Sequence, residues 1–160
     1  MRKWLEGIAL LVLGLHLAIT VRALFGSDHL PERIPIQFDA TDHPTAWGSP
    51  AMLILLPAIT LIIYLLFTVV TRFPGAFNYP VRVTSFNRPR IENLALDMMA
   101  WLKVEIVGVL TWMQWVTIEA ARNPNRYIPG MTPAALVAVF ATVSVYIVAM
   151  YRAGRESHQL

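Results

Sequence analysis

The side chains with the greatest capacity for chemistry in this sequence are polar or ionisable residues placed within long apolar runs. Glu105 follows Asp97 by eight positions and Trp101 by four, so the three share one face of a helix. His16 lies in an apolar run near the N-terminus. Acidic and imidazole groups at such positions transfer protons, contact a ligand or pair with a neighbouring helix. The pattern indicates either a proton or ligand site or a set of structural pairs, and we favour the structural pairs.

Hydrogen bonds between helices are therefore the expected role of these residues. For His16 we expect a bond to Thr111 or Gln114 of the third apolar run. For Glu105 we expect a buried pair that ties its helix to the first or second one, because an acidic side chain in the membrane costs about 2–3 kcal/mol. A haem with two His ligands would need a second His in the membrane, and His29, His43 and His158 lie outside the apolar runs. No cofactor is expected.

Two further features of the helices allow more than one interpretation. Trp112, Trp115 and Gln114 either line a groove for a lipid or cofactor or, as we favour, pack against other helices. Small residues repeat on one face of the last apolar run and, more weakly, of the first: Ala134, Ala138, Ala141, Ala149, and Gly14 with Ala18. Such faces allow close helix packing. This packing occurs within the chain or in a homo-oligomer or partner complex, and the sequence leaves the choice open.

The remaining sequence offers no recognisable catalytic or metal site. It contains no nucleophile–base pair, P-loop, dinucleotide-binding fingerprint or zinc-protease motif, so we expect no enzyme. Six acidic or histidine residues cluster after the first apolar run without compact ligand spacing: Asp28, His29, Glu32, Asp39, Asp42 and His43. We interpret them as a solvated acidic loop and expect no metal. The chain has no cysteine, which excludes disulfides, thiolate metal sites and thiol catalysis.

Composition places these residues in a membrane protein. Of the 160 residues, 56% are apolar and 14% are charged, whereas soluble domains carry about 25% charged residues. The net charge of +3 does not indicate a nucleic-acid partner, because basic residues of membrane proteins mainly mark the cytoplasmic side. The expected environment of most of the chain is a lipid bilayer.

We predict an all-α, polytopic fold with four transmembrane helices in a single membrane domain, residues 1–160. The helices are expected at about 4–25, 50–70, 90–122 and 132–151, and each supplies the roughly 20 residues that a span needs. The 24-residue loop Gly26–Ser49 is rich in proline, which favours extended or turn conformations. Arg2 and Lys3 before an apolar run also suit a signal peptide. No small-residue cleavage pattern precedes Ser27, so we expect a retained helix.

The distribution of basic residues predicts how the helices are oriented. Eight lie in the N-terminus, the second loop and the tail: Arg2, Lys3, Arg72, Arg82, Arg88, Arg90, Arg152 and Arg155. Three lie in the first and third loops: Arg33, Arg122 and Arg126. The positive-inside rule then places both termini in the cytoplasm and the loop Gly26–Ser49 outside the cell.

Two motifs in that loop resemble a known family. Ile34-Pro35-x-x-Phe38 and Trp47-Gly48-Ser49 are similar to the DUF1648 pattern IP-x-HF-x-x-x-G-x-x-D-x-WGSK. The resemblance covers about residues 8–55. It implies a small protein of the bacterial inner membrane with a domain shared with SdpI-type immunity proteins.

The departures from this pattern concern its titratable positions. Gln37 replaces the His, Pro50 replaces the final Lys, and Asp42 and Thr45 stand at the positions of the Gly and Asp. The apolar and turn-forming positions are retained. A shaped docking surface is therefore favoured over a metal site or pH sensor in the loop.

These observations predict a small membrane protein that binds a partner protein or peptide, in an accessory, immunity-like or signalling role. Pro35, Phe38, Trp47 and Gly48 are the predicted partner-binding residues. His16, Asp97, Glu105 and Gln114 are the predicted intramembrane polar residues. One alternative is a structural subunit of a larger membrane complex. Another is a small proton-linked transporter that uses Glu105, Asp97 and His16.

Overall fold

The computed structural model describes residues 1–27, 30–39, 43–123 and 132–156. These residues are mostly helical, with one β-hairpin: α1 (Arg2–Phe25), β1 (Ile34–Phe38), β2 (Pro44–Gly48), α2 (Leu55–Val70), α3 (Arg88–Arg122) and α4 (Thr132–Glu156). A 3-10 turn at Pro50–Ile54 leads into α2, and another lies at Pro74–Ala76. The loop residues Asp28, His29 and Asp42, together with Arg126 and His158, lie outside the described residues.

Three of the described helices are long and apolar enough to cross a membrane, namely Arg2–Phe25, Pro50–Val70 and Ala134–Arg155. The chain is therefore an integral membrane protein by the length and composition of its helices. The longest helix, α3, has 35 residues but is not among the three. It carries eight charged side chains, among them Asp97, Lys103 and Glu105, and none of them lies between Ile106 and Ile118.

α3 is the central helix of the bundle. α1 and α4 make the most extensive contacts with it, and α2 packs against it as well, whereas α1 and α2 touch each other less. The buried residues of α3 recur every three or four positions from Lys103 onward: Lys103, Val107, Thr111, Gln114, Ile118 and Ala121. This spacing forms one continuous stripe along a helix, so α3 buries a long face against its neighbours.

The core consists of separate clusters along the bundle. Near the hairpin, Ile34 packs with Ala23, Leu53 and Ile118. In the middle, Tyr64 packs with residues of α1 and α3. At the opposite end, α3 and α4 pack with the connection between α2 and α3. Many apolar side chains on the outer faces of the helices stay exposed, as expected for a surface covered by lipid acyl chains.

The hairpin is a feature that the sequence did not predict, because an all-α fold with an irregular loop was expected. β1 and β2 are antiparallel, with Ile34 opposite Gly48, Pro35 opposite Trp47 and irregularities after Pro35. Asp39 closes the turn: its N–H donates to the His43 carbonyl (2.9 Å), and its carboxylate accepts from the His43 N–H (3.0 Å). A two-stranded sheet has only edge strands, and these tolerate proline.

Candidate functional site

A first polar cluster joins α1 to α3 on the hairpin side of the bundle. Thr111 Oγ1 lies 3.3 Å from His16 Nδ1, which confirms the predicted bond between these helices. Gln114 donates to Thr20 Oγ1 (2.9 Å) and to the Leu53 carbonyl (3.0 Å). Because Leu53 belongs to the 3-10 turn before α2, Gln114 connects three elements. Among the described residues, His16 Nε2 has no hydrogen-bond partner.

A second cluster surrounds Lys103, which the sequence analysis did not select. The Lys103 ammonium is buried and lies 2.6 Å from Glu6 Oε2 and 2.9 Å from Thr68 Oγ1. It also lies 4.7 Å from the centre of the Tyr64 ring, and the Tyr64 hydroxyl donates to the other Glu6 oxygen. This cluster joins α1, α2 and α3. A signal was present, since Glu6 and Lys103 are opposite charges in apolar helices near the same predicted membrane face.

Glu105 pairs with a different helix from the one expected. Its Oε1 accepts a hydrogen bond from Thr142 Oγ1 on α4 (2.6 Å), so the predicted tie to helix one or two is wrong. The reason is helix geometry: two positions correspond to about 200° of rotation, so Lys103 and Glu105 face opposite sides of α3. Lys103 faces α1 and α2, and Glu105 faces α4. The other Glu105 oxygen, Oε2, is buried without a hydrogen-bond partner among the described residues.

Asp97 has its own partner at the end of the bundle opposite the hairpin. Its Oδ1 lies 3.2 Å from Arg2 Nε, and Arg2 also donates to Asn93 Oδ1 (2.8 Å). The eight positions between Asp97 and Glu105 correspond to about 12 Å along α3. The three residues named for a proton pathway, Glu105, Asp97 and His16, thus contact different partners and do not converge on one site.

The predicted partner-binding residues of the loop divide into two pairs. Pro35 is buried, and a side chain at Gly48 would place a Cβ 2.6 Å from Met52 Sδ and 3.0 Å from Ile36 Cδ1. These two residues therefore shape the hairpin. Trp47 is about half exposed, at 48%, and Phe38 is partly buried. Of the four residues, only Phe38 and Trp47 have side-chain surface that a partner could contact.

A groove of about 600 Å³ lies beneath the hairpin, between β1, the start of α2, α3 and Leu136 of α4. Its walls are mainly apolar: Ile34, Ile36, Phe38, Met52, Leu53, Leu55, Leu56, Ile59, Trp112, Met113, Val116 and Leu136. Gln37, Asp39, Gln114 and Thr117 supply polar groups. Of the three residues predicted either to line a lipid or cofactor groove or to pack against other helices, Trp112 and Gln114 line this groove and Trp115 does not. Trp115 stacks on Trp112, with ring centres 4.9 Å apart, and supports its position.

The groove follows the length of β1, because the consecutive residues Ile36, Gln37, Phe38 and Asp39 all line it. Among the described residues, β1 forms a sheet with β2 alone. A strand with one neighbour leaves the backbone groups of its other edge without a ladder partner. The site therefore combines an apolar cavity with a strand edge, which suits an extended ligand with apolar side chains.

The described residues form no cluster that could hold a metal ion, since no three His, Asp or Glu side chains among them converge. Of the six loop residues considered for a metal, Asp28, His29 and Asp42 lie outside the described part of the chain. Asp39 and His43 are occupied in closing the hairpin turn.

Comparison with known families identifies the segment that contains the hairpin. Residues 11–61 match DUF1648, a domain of unknown function. The matched segment runs from within α1 through the hairpin into α2, and it includes the motifs at Ile34–Phe38 and Trp47–Ser49. No curated protein and no solved structure matches the chain. Residues 11–61 of this membrane protein thus match the DUF1648 domain, and the match covers about a third of the chain.

Proposed function

We propose that this protein acts by binding a partner protein or peptide, and that an extended apolar segment of the partner occupies the groove beneath the hairpin. The observation that carries the proposal is the groove itself, about 600 Å³ in volume, with a strand along one wall and helices along the others. Cavities of this size are typical of ligand sites. An accessory, immunity-like or signalling role needs binding and no catalysis.

The hairpin is held in a fixed position, which favours binding. Ile34 is fully buried in the core between α1, the 3-10 turn and α3. The Gln114 amide donates a hydrogen bond to the Leu53 carbonyl and so holds the 3-10 turn in place. A wall that is ordered before the ligand arrives reduces the entropy lost on binding.

The proposed topology has four membrane spans, both termini in the cytoplasm and the hairpin outside, in the inner membrane of a bacterium. α3 crosses the membrane in this arrangement because its charged side chains face other helices: Lys103 bonds with Glu6, and Glu105 with Thr142. Charged side chains that are directed into a bundle and hydrogen-bonded there are tolerated where lipid-facing ones are not. The eight basic residues at one end and three at the other support the orientation.

Site-specific photocrosslinking in native membranes tests the binding proposal. A photoreactive residue at Phe38, inside the groove, should give a discrete adduct with a polypeptide, and one at the lipid-facing Phe140 should not. Ile59→Trp fills the groove and should remove the Phe38 adduct. Ile62→Trp, on the same helix but outside the groove, is the matched control and should leave the adduct intact.

Two results would contradict the proposal. The first is a Phe38 adduct that contains only lipid. The second is a polypeptide adduct that Ile59→Trp and Ile62→Trp reduce equally, because its formation would then not depend on the groove.

A further inference from the structure

We propose a second binding site, for the headgroup of an anionic phospholipid, in a cleft between α3 and α4 at the end of the bundle opposite the hairpin. The cleft has a volume of about 680 Å³ and is lined by Arg90 and Leu94 of α3 and by Val145, Val148 and Arg152 of α4. This site is separate from the hairpin groove and does not depend on the partner-binding proposal.

In both helices an arginine lies at the end of the bundle, and apolar side chains follow towards the middle of the helix. α3 begins at Arg88 and α4 ends at Glu156, so the Arg90 end of one helix meets the Arg152 end of the other. Four residues further into the bundle, about 6 Å along each axis, Leu94 follows Arg90 and Val148 precedes Arg152. The cleft is thus cationic at its outer end and mainly apolar towards the middle of the helices, where the one hydroxyl in its lining, that of Ser144, donates to the Phe140 carbonyl of its own helix (2.7 Å).

This order matches the order of groups in a phospholipid. A phosphate at the outer end accepts hydrogen bonds from the two guanidiniums, each of which has five donors and can serve more than one acceptor. An acyl chain continues along Leu94, Val148 and Val145. Basic pockets between transmembrane helices are known to hold anionic headgroups.

The environment of α4 favours a lipid as the occupant. Only 6% of the most apolar window of α4 is buried in the described structure, against 28% for α1. Phe140, Val145 and Val148 remain exposed and continue the apolar wall of the cleft along the helix. A lipid seated here has its headgroup at the bundle end and its acyl chain on the exposed face, whereas a free phosphate gains nothing from the apolar wall.

The other arginines at this end do not line the cleft. Arg88 of α3 is absent from its walls and lies 3.4 Å from Glu92 of its own helix. Arg155 is exposed on α4, three positions beyond Arg152, but does not line the cleft. Arg155 therefore provides a control with the same charge on the same helix.

The experiment is a lipid titration of the purified full-length protein in mild detergent, followed by native mass spectrometry with phosphatidylglycerol and with phosphatidylcholine. The protein should bind phosphatidylglycerol at least tenfold more tightly than phosphatidylcholine. The double variant R90Q/R152Q should lose most of this preference, since one basic contact near an anionic headgroup corresponds to roughly a fivefold change in affinity. R155Q should keep it.

Thermal unfolding in phosphatidylcholine shows whether the variants are folded, and because both arginines are exposed we expect at most a small shift of the midpoint. If the double variant unfolds, the single variant R152Q tests the proposal. The logarithm of its affinity ratio between phosphatidylglycerol and phosphatidylcholine should fall to about half. Equal affinity for the two lipids would overturn the proposal, as would an equal loss in R155Q. Displacement of the lipid by millimolar inorganic phosphate would identify a general anion site and overturn it as well.

Discussion

At the scale of single residues, pairing decides which polar side chains this bundle tolerates. Lys103 is the clearest case, because its ammonium is almost fully buried, at 4% exposure, and meets Glu6, Thr68 and the Tyr64 ring. A buried ion pair adds little net stability when both partners are present, but removal of one partner leaves the other uncompensated. Lys103 therefore fixes how α1, α2 and α3 meet.

We expect Lys103→Met to lower the free energy of unfolding by about 1–3 kcal/mol, less than for a fully buried pair because Glu6 is partly exposed. The double variant Glu6→Gln/Lys103→Met should recover part of this loss, because it removes the unpaired carboxylate. Thermal unfolding of the purified variants measures both. If the double variant is less stable than the single one, the two side chains do not form a pair.

Gln114 is the second residue with a specific structural task. Gln114→Leu keeps the volume but removes the donor to Thr20 and to the Leu53 carbonyl. We expect a loss of about 1–2 kcal/mol, the cost of a buried acceptor without a donor. Met113→Leu, the adjacent position, should change stability by less than about 1 kcal/mol as a volume-conserving control. Equal losses in both would show that the amide hydrogen bonds do not contribute.

The sequence revealed these residues only in part. It indicated a bond from His16 to Thr111 or Gln114, since few polar groups share the membrane interior with His16, and the structure has Thr111 as the partner. It placed the opposite charges of Lys103 and Glu6 near the same membrane face but did not show that they pair, because the pairing of residues 97 positions apart depends on which faces of α1 and α3 meet. The partner of Glu105 depended in the same way on the position of α4.

At the scale of elements, the hairpin is the part that tertiary contacts determine. The helices follow from long apolar runs, and these are visible in the sequence alone. The strands are five residues each, contain proline, and lack a strong two-residue turn signal such as Asn-Gly. What stabilises them is the burial of Ile34 among Ala23, Leu53 and Ile118. The loop sequence has no periodicity that would indicate which helix faces bury the Ile34 side chain.

Ile34→Ala should therefore detach the hairpin before it unfolds the helices. Truncation of a fully buried isoleucine costs about 2–5 kcal/mol, which is large for a two-stranded element. Hydrogen exchange of the β1 and β2 amides should accelerate at least tenfold while exchange in α3 stays unchanged. Ile36→Ala, at an exposed position of the same strand, is the control and should have a small effect. Equal acceleration in both variants would mean that Ile34 does not anchor the hairpin.

At the scale of the whole molecule, α3 organises the bundle and α4 is its most accessible helix. The small residues Ala134, Ala138 and Ala141 on α4 are exposed in the single chain. The prediction of a homo-oligomer or partner subunit at that face therefore stays open. Both proposed sites depend on where the two ends of the bundle lie relative to the membrane, with the groove outside and the arginine cleft inside.

Cysteine accessibility in intact cells tests this arrangement most directly, because the chain has no native cysteine and each substitution gives a single labelling site. Thr45→Cys in β2 and Ser85→Cys before α3 are both exposed positions. We expect a membrane-impermeant maleimide to label Thr45→Cys in intact cells and Ser85→Cys only after permeabilisation. The reverse pattern would place the groove in the cytoplasm, and labelling of both in intact cells would contradict four spans with the hairpin and the α2–α3 connection on opposite sides.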